Sequence, residues 1–140
     1  LLPGARVVST GAAHLMVQAR DRAAVADADP DAARLLAELR RAGAQGCYLY
    51  SLDPIDPSAA AHARFFNPTV GLWEDPATGS AAGPLAWLLA ERDLVPSTGE
   101  VVIEQGHALG RASRLAVRLR DGRVELRGRC VIVADGAFRL

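Results

Sequence analysis

Long apolar runs are missing from this sequence. None approaches the ~20 residues that a helix needs to cross a bilayer, so no membrane contact is expected. An excess of charge of one sign is missing too. Sixteen basic and sixteen acidic residues cancel in a chain of 140. No bulk field then favours nucleic acid or an anionic membrane surface, and neither is expected as a partner. Cysteine is scarce. Cys47 and Cys130 lie in apolar, strand-like runs and read as buried free thiols, which suits a reducing cytoplasm. The histidines His14, His62 and His107 are widely separated and show no ligand spacing with carboxylates, so no metal site is expected. The opening Leu1-Leu2-Pro3-Gly4 has neither the basic region nor the apolar core of a signal peptide. An initiator Met is absent, which leads to the expectation of a fragment or a processed piece. Low-complexity segments and short internal repeats are absent as well.

What is present suits one domain over 1–140 with one core, since 50% of the residues are hydrophobic. Strand character marks Arg6–Thr10 and His14–Arg20. A short helix is read from Arg22 to Ala28, stopped by Pro30. Asp31 to Ala42 is an amphipathic helix: Ala32, Leu35, Leu36 and Leu39 share one face, and Gly43 ends it. Strands follow at Cys47–Leu52 and Ala61–Phe66, separated by a turn-rich loop through Pro54 and Pro57. After Thr78 comes a helix that is apolar nearly all round, with Leu85, Trp87, Leu88 and Leu89, and with Pro84 bending its first turns. Such a helix needs walls on most sides. Strands at Glu100–Gln105, Ser113–Arg120 and Arg123–Leu126 follow, the last two joined by the hairpin signal Asp121-Gly122. Cys130–Ala134 reads as a fully buried strand and Ala137–Leu140 as a last short one. Strands around one apolar helix make an α+β domain.

One stretch carries chemistry, Glu74-Asp75-Pro76-Ala77-Thr78-Gly79-Ser80-Ala81. It reads as an acidic turn running into a helix start. Thr78 is a candidate N-cap, and Gly79 and Ser80 leave free N–H groups at the positive end of the helix. That end holds a carboxylate or phosphate, and small side chains allow close approach. Neighbouring side chains on an extended segment point oppositely, so only one of Glu74 and Asp75 faces the site; Asp75 is chosen. His14 reads as a packed or partly exposed histidine. Arg114, Arg118 and Arg120 read as a solvated strand face, and Gly106, Gly110, Arg111 and Ser113 as either an anion-friendly loop or a glycine-rich turn between strands.

The central stretch resembles the signature of the phenazine-biosynthesis (PhzF-like) isomerases, which share the diaminopimelate epimerase fold. Flanking matches support it: Val8-Ser9-Thr10-Gly11 with His14-Leu15, Ala63-Arg64-Phe65-Phe66, Glu104-Gln105-Gly106, and Gly110-Arg111-Ala112-Ser113-Arg114, where the family usually has Pro at Ala112. The resemblance implies a curved sheet or half barrel around a central helix. It implies Asp75 as the catalytic residue contributed here, and Thr78, Gly79 and Ser80 as substrate-binding residues for a small carboxylate, with no cofactor. Ala77 stands where related two-cysteine epimerases carry a thiol, which argues against that chemistry. Family members are about twice as long. The chain looks like the carboxy-terminal half, and the family's catalytic glutamate belongs to the missing amino-terminal half. Two readings follow. One is the second half of an isomerase working by acid/base proton transfer. The other is a non-catalytic small-acid-binding or structural domain that assembles as a homodimer.

Overall fold

The computed structural model describes residues 4–128 and 131–137. The described residues form eight strands and three α-helices. In chain order they are β1 (Arg6–Ser9), β2 (Ala13–Gln18), α1 (Arg22–Ala26), α2 (Ala32–Ala42), β3 (Gly46–Ser51), β4 (Ala61–Asn67), β5 (Leu72–Asp75), α3 (Gly79–Glu91), β6 (Gly99–Gln105), β7 (Ser113–Arg120) and β8 (Arg123–Arg127). All strands join one sheet in the order β1-β2-β3-β4-β6-β7-β8, with β5 paired to β4 beyond the end of β6. The pairs β2–β3 and β4–β6 are parallel and the rest antiparallel.

The sheet curls around α3, which touches β1 and β2 on one side and β6, β7 and β8 on the other. This explains the all-round apolar character of α3. Eight of its residues are buried, among them Leu85, Leu88 and Leu89. The inner face of the sheet meets them with Tyr48, Tyr50, Ala61, Ala63, Phe65, Ile103 and Val117. The outer face forms a second, smaller core where Val25 of α1 and Leu39 of α2 cover Cys47, Leu49 and Phe66. Burial pushes the Cys47 thiol up to about 12, so it packs as an inert apolar group. The helix expected over 31–42 starts one residue in, because the Asp31 carboxylate accepts the Arg34 N–H as N-cap. The Asp121-Gly122 turn joins β7 to β8 with both residues at positive φ, 49° and 72°.

Two expectations change. Glu74 and Asp75 lie in a strand rather than a turn, because β5 folds back on β4 after the short 3₁₀ turn Pro68–Val70. The buried strand expected at Cys130–Ala134 does not form where it is described. Residues 131–137 belong to no helix or strand, and Val131, Ile132 and Val133 are exposed. An all-apolar strand needs both faces covered, and the neighbouring strand β8 is itself largely exposed. Cys130 and Phe138–Leu140 lie outside the described residues. No helix among the described residues is long and apolar enough to cross a membrane.

Candidate active site at the mouth of the central helix

The β4–β5 register separates the two acidic neighbours. Glu74 pairs with Phe66 and shares the outer face, whereas Asp75 pairs with Phe65 and shares the inner face. On the outer face Glu74 meets Arg64 in a two-pronged, nearly buried ion pair, Nε to Oε1 at 2.9 Å and Nη2 to Oε2 at 2.8 Å. The Arg64 Nη1 group also donates to the carbonyls of Val25, Ala26 and Ala28, tying β4 to the end of α1. Glu74 is therefore a structural group.

Asp75 stands half-buried at the mouth of α3. Its Oδ2 accepts a 2.6 Å hydrogen bond from the Thr78 hydroxyl. Thr78 holds the N-cap position, yet its side chain caps nothing, because the hydroxyl is turned to Asp75 instead. Behind it stands a residue that periodicity alone does not single out, Gln105 at the end of β6. The Gln105 Oε1 accepts from the Tyr48 hydroxyl at 2.8 Å and the Thr78 N–H at 3.2 Å. Its amide group donates to the Asp75 carbonyl at 2.6 Å and the Thr78 hydroxyl oxygen at 3.0 Å. All four polar positions of this fully buried amide are used. Burial, and then the charge of Asp75, push the Tyr48 hydroxyl far above the usual phenol range, so it stays a donor. The chain Tyr48–Gln105–Thr78–Asp75 thus fixes the carboxylate from inside the core. The signal for it was a buried-length strand ending in two polar residues, Glu104 and Gln105.

The first turn of α3 leaves donors free. Ala81 and Ala82 donate back to the Thr78 carbonyl, while the N–H groups of Gly79 and Ser80 meet no acceptor among the described residues. The glycine at 79 serves packing as well. A Cβ there would stand 2.2 Å from Cδ2 of Leu126 on β8. Ser80 is exposed, and its hydroxyl lies 3.2 Å from Nε2 of His14 on β2. His14 is packed, as expected: it is buried and stands edge-on to Phe65. Yet it also belongs to the helix mouth. Burial lowers its pKa, keeping the ring neutral. The loop after β6 takes its structural option. Gly106, at φ 84°, presses against Pro76, and a Cβ would stand 2.6 Å from the Pro76 carbonyl oxygen. Arg114 pairs with Asp56 and donates to Ser58 on the surface.

The histidines depart from the expectation of no metal pattern: His62, Glu104 and His107 converge on the outer face. Burial alone would raise the Glu104 carboxyl, but the N–H groups of Ile55 and Asp56 and the His62 ring outweigh it and hold it below 4.5. Its stabilising effect is complete above the unfolded carboxyl value and is lost as pH falls through the lower folded value. His14 acts in the same sense from a higher pH, since its folded pKa lies below 6.5. Urea midpoints are expected to fall in two stages on acidification, the first beginning below about pH 6.5 and the second below about pH 4.5. The first stage should vanish in His14→Gln. A midpoint flat from pH 8 to pH 5 contradicts the role given to His14.

Comparison with known proteins now places this geometry. The model of the phenazine biosynthesis-like (PhzC-PhzF) family matches residues 3–136. The chain belongs to that family. It is 30% identical over its whole length to half of the uncharacterized isomerase YddE of Escherichia coli K12. Over 53% of its length it is 42% identical to 28% of the trans-2,3-dihydro-3-hydroxyanthranilate isomerase of Pseudomonas aeruginosa. A predicted epimerase of P. aeruginosa superimposes with a TM-score of 0.68 at 34% identity, covering 94% of this chain and 46% of that one. A proline racemase-type protein of Agrobacterium radiobacter, 20% identical with a TM-score of 0.55, covers 87% of this chain and 40% of that one and shares the fold alone. The α+β epimerase-like half barrel is thus shown. The chain spans about half the length, or less, of the curated relatives it matches.

Proposed function

We propose that this chain is the carboxy-terminal half of a PhzF-like isomerase. It supplies Asp75 as one proton-transfer group and the Gly79 and Ser80 N–H groups as the cradle for a substrate carboxylate. One observation carries this reading. A carboxylate held by the Thr78 hydroxyl, on a backbone anchored by Gln105, stands at a helix mouth with two free N–H groups. Proton transfer at a carbon near a carboxylate needs an acid, a base and charge stabilisation. This chain offers one titrating group and the stabiliser; the other half, with the family glutamate, supplies the second group. The His14–Ser80 contact sets the Ser80 side chain, hence the shape of the cradle. The P. aeruginosa relative named for trans-2,3-dihydro-3-hydroxyanthranilate points to small, cyclic, amino- or hydroxy-bearing acids as the substrate class. The reaction proceeds without a cofactor and in the cytoplasm.

An NMR titration with benzoate tests the cradle. The amide resonances of Gly79 and Ser80 are expected to shift most, as a carboxylate settles on the helix end. Shifts confined to remote amides overturn the proposal.

A further inference from the structure

On the outer face of the sheet, away from the helix mouth, three side chains meet that the proposed isomerisation does not use. His62 on β4 and Glu104 on β6 are register partners across the parallel β4–β6 pair. His107 follows β6 in a short 3₁₀ turn, with its ring centroid 5.1 Å from that of His62. One ligand atom from each of the three lies within 4.8 Å of the others.

The protonation pattern follows from the partners. Glu104 already accepts the N–H groups of Ile55 and Asp56 and so is held as a carboxylate. At 2.7 Å from its Oε1, the His62 Nδ1 must carry the proton. In the neutral ring the His62 Nε2 is then left with a lone pair. His62 is only 4% exposed, and its one hydrogen bond among the described residues is that of Nδ1. The His107 Nδ1 is buried and equally without a described partner. Both rings line a cavity of about 380 Å³ together with Arg22, Arg64 and Ala108.

We propose that His62 and His107 bind a divalent transition metal ion in this cavity, with Glu104 orienting His62. A metal-bound imidazole commonly gives its second N–H to a carboxylate, which fixes the tautomer and raises ligand basicity. Two imidazole nitrogens suit zinc, nickel or copper rather than magnesium or calcium. Water fills the remaining positions from the open side of the cavity. The Arg64 charge in the cavity wall is matched by Glu74. Arg22 donates to the Pro54 carbonyl and remains a positive neighbour, which weakens the binding of a cation.

The test is calorimetric titration of chelator-treated chain with Zn²⁺, repeated with Co²⁺ while its visible absorption is followed. One ion per chain should bind with micromolar affinity. Glu104→Gln should weaken it ~10–100-fold, and His107→Gln should abolish it. His107 is only partly buried, so the His107→Gln variant is expected to keep the circular dichroism of the parent. His14→Gln, on the other face, should bind Zn²⁺ like the parent. An absence of binding at millimolar Zn²⁺, or a folded His107→Gln variant that binds as tightly as the parent, overturns the proposal.

Discussion

Asp75→Asn in the protein assembled with its other half is expected to cut isomerisation ~10²–10⁴-fold, while the urea midpoint stays nearly unchanged. Asparagine keeps an oxygen for the Thr78 hydroxyl and nearly the same shape. What it loses is the ability to take or give a proton at the helix mouth. The effect should fall on kcat more than on KM, because the cradle proposed for the substrate carboxylate is backbone of Gly79 and Ser80, which the substitution leaves intact. Initial rates for the two proteins, measured side by side, decide it. Full turnover in the variant would leave Asp75 as a strand-end residue with no part in the chemistry.

Arg64→Met carries the largest expected effect on stability. The guanidinium is nearly buried, grips both oxygens of Glu74 and satisfies three carbonyls at the end of α1. Removing it strands a buried carboxylate, which typically costs ~3–5 kcal/mol. Replacing both partners, Arg64→Met with Glu74→Leu, should recover much of that loss, because the uncompensated charge goes with the pair. Urea unfolding of the single and double variants measures both values. A single variant within ~0.5 kcal/mol of the parent contradicts the structural role given to Glu74. It would also reopen the assignment of Asp75 as the acidic neighbour that faces the site.

Several parts of this arrangement were legible from residue pattern because their causes are local. The apolar circumference of α3 required walls, and the sheet provides them. Alternation along Glu74 and Asp75 meant that only one could face the site, and the β4–β5 register puts Asp75 on the inner face and Glu74 against Arg64. Gly43 ended a helix, and Asp121-Gly122 closed a hairpin. The rest depended on which strands pair. Gln105 reaches Asp75 only because β6 lies beside β4 in parallel, with Ala63 opposite Gln105. The same pairing sets His62 against Glu104 and makes a cluster from residues whose spacing carries no ligand pattern. Periodicity reports faces; it does not report neighbours across a sheet. The apolar run at 131–133 failed for a related reason, since hydrophobicity signals burial without naming the surface that does the burying.

We propose that the mouth of α3 is half of a site that another polypeptide surface completes. In the chain just before it, Val70, Leu72 and Trp73 are exposed, at 71%, 43% and 38%, and exposed apolar side chains favour association. The chain is expected to pair with its amino-terminal half or, alone, with a second copy of itself, twofold pairing being the commonest outcome for identical chains. A self-pair would bring two copies of Asp75 to one cleft without the family glutamate, which permits binding of a small acid but not the family reaction. Sedimentation equilibrium of the isolated chain at micromolar concentration is the direct measurement. A mass near twice 14.8 kDa is expected, moving to a one-to-one complex when the other half is added; a clean monomer under both conditions contradicts a site shared between two polypeptides.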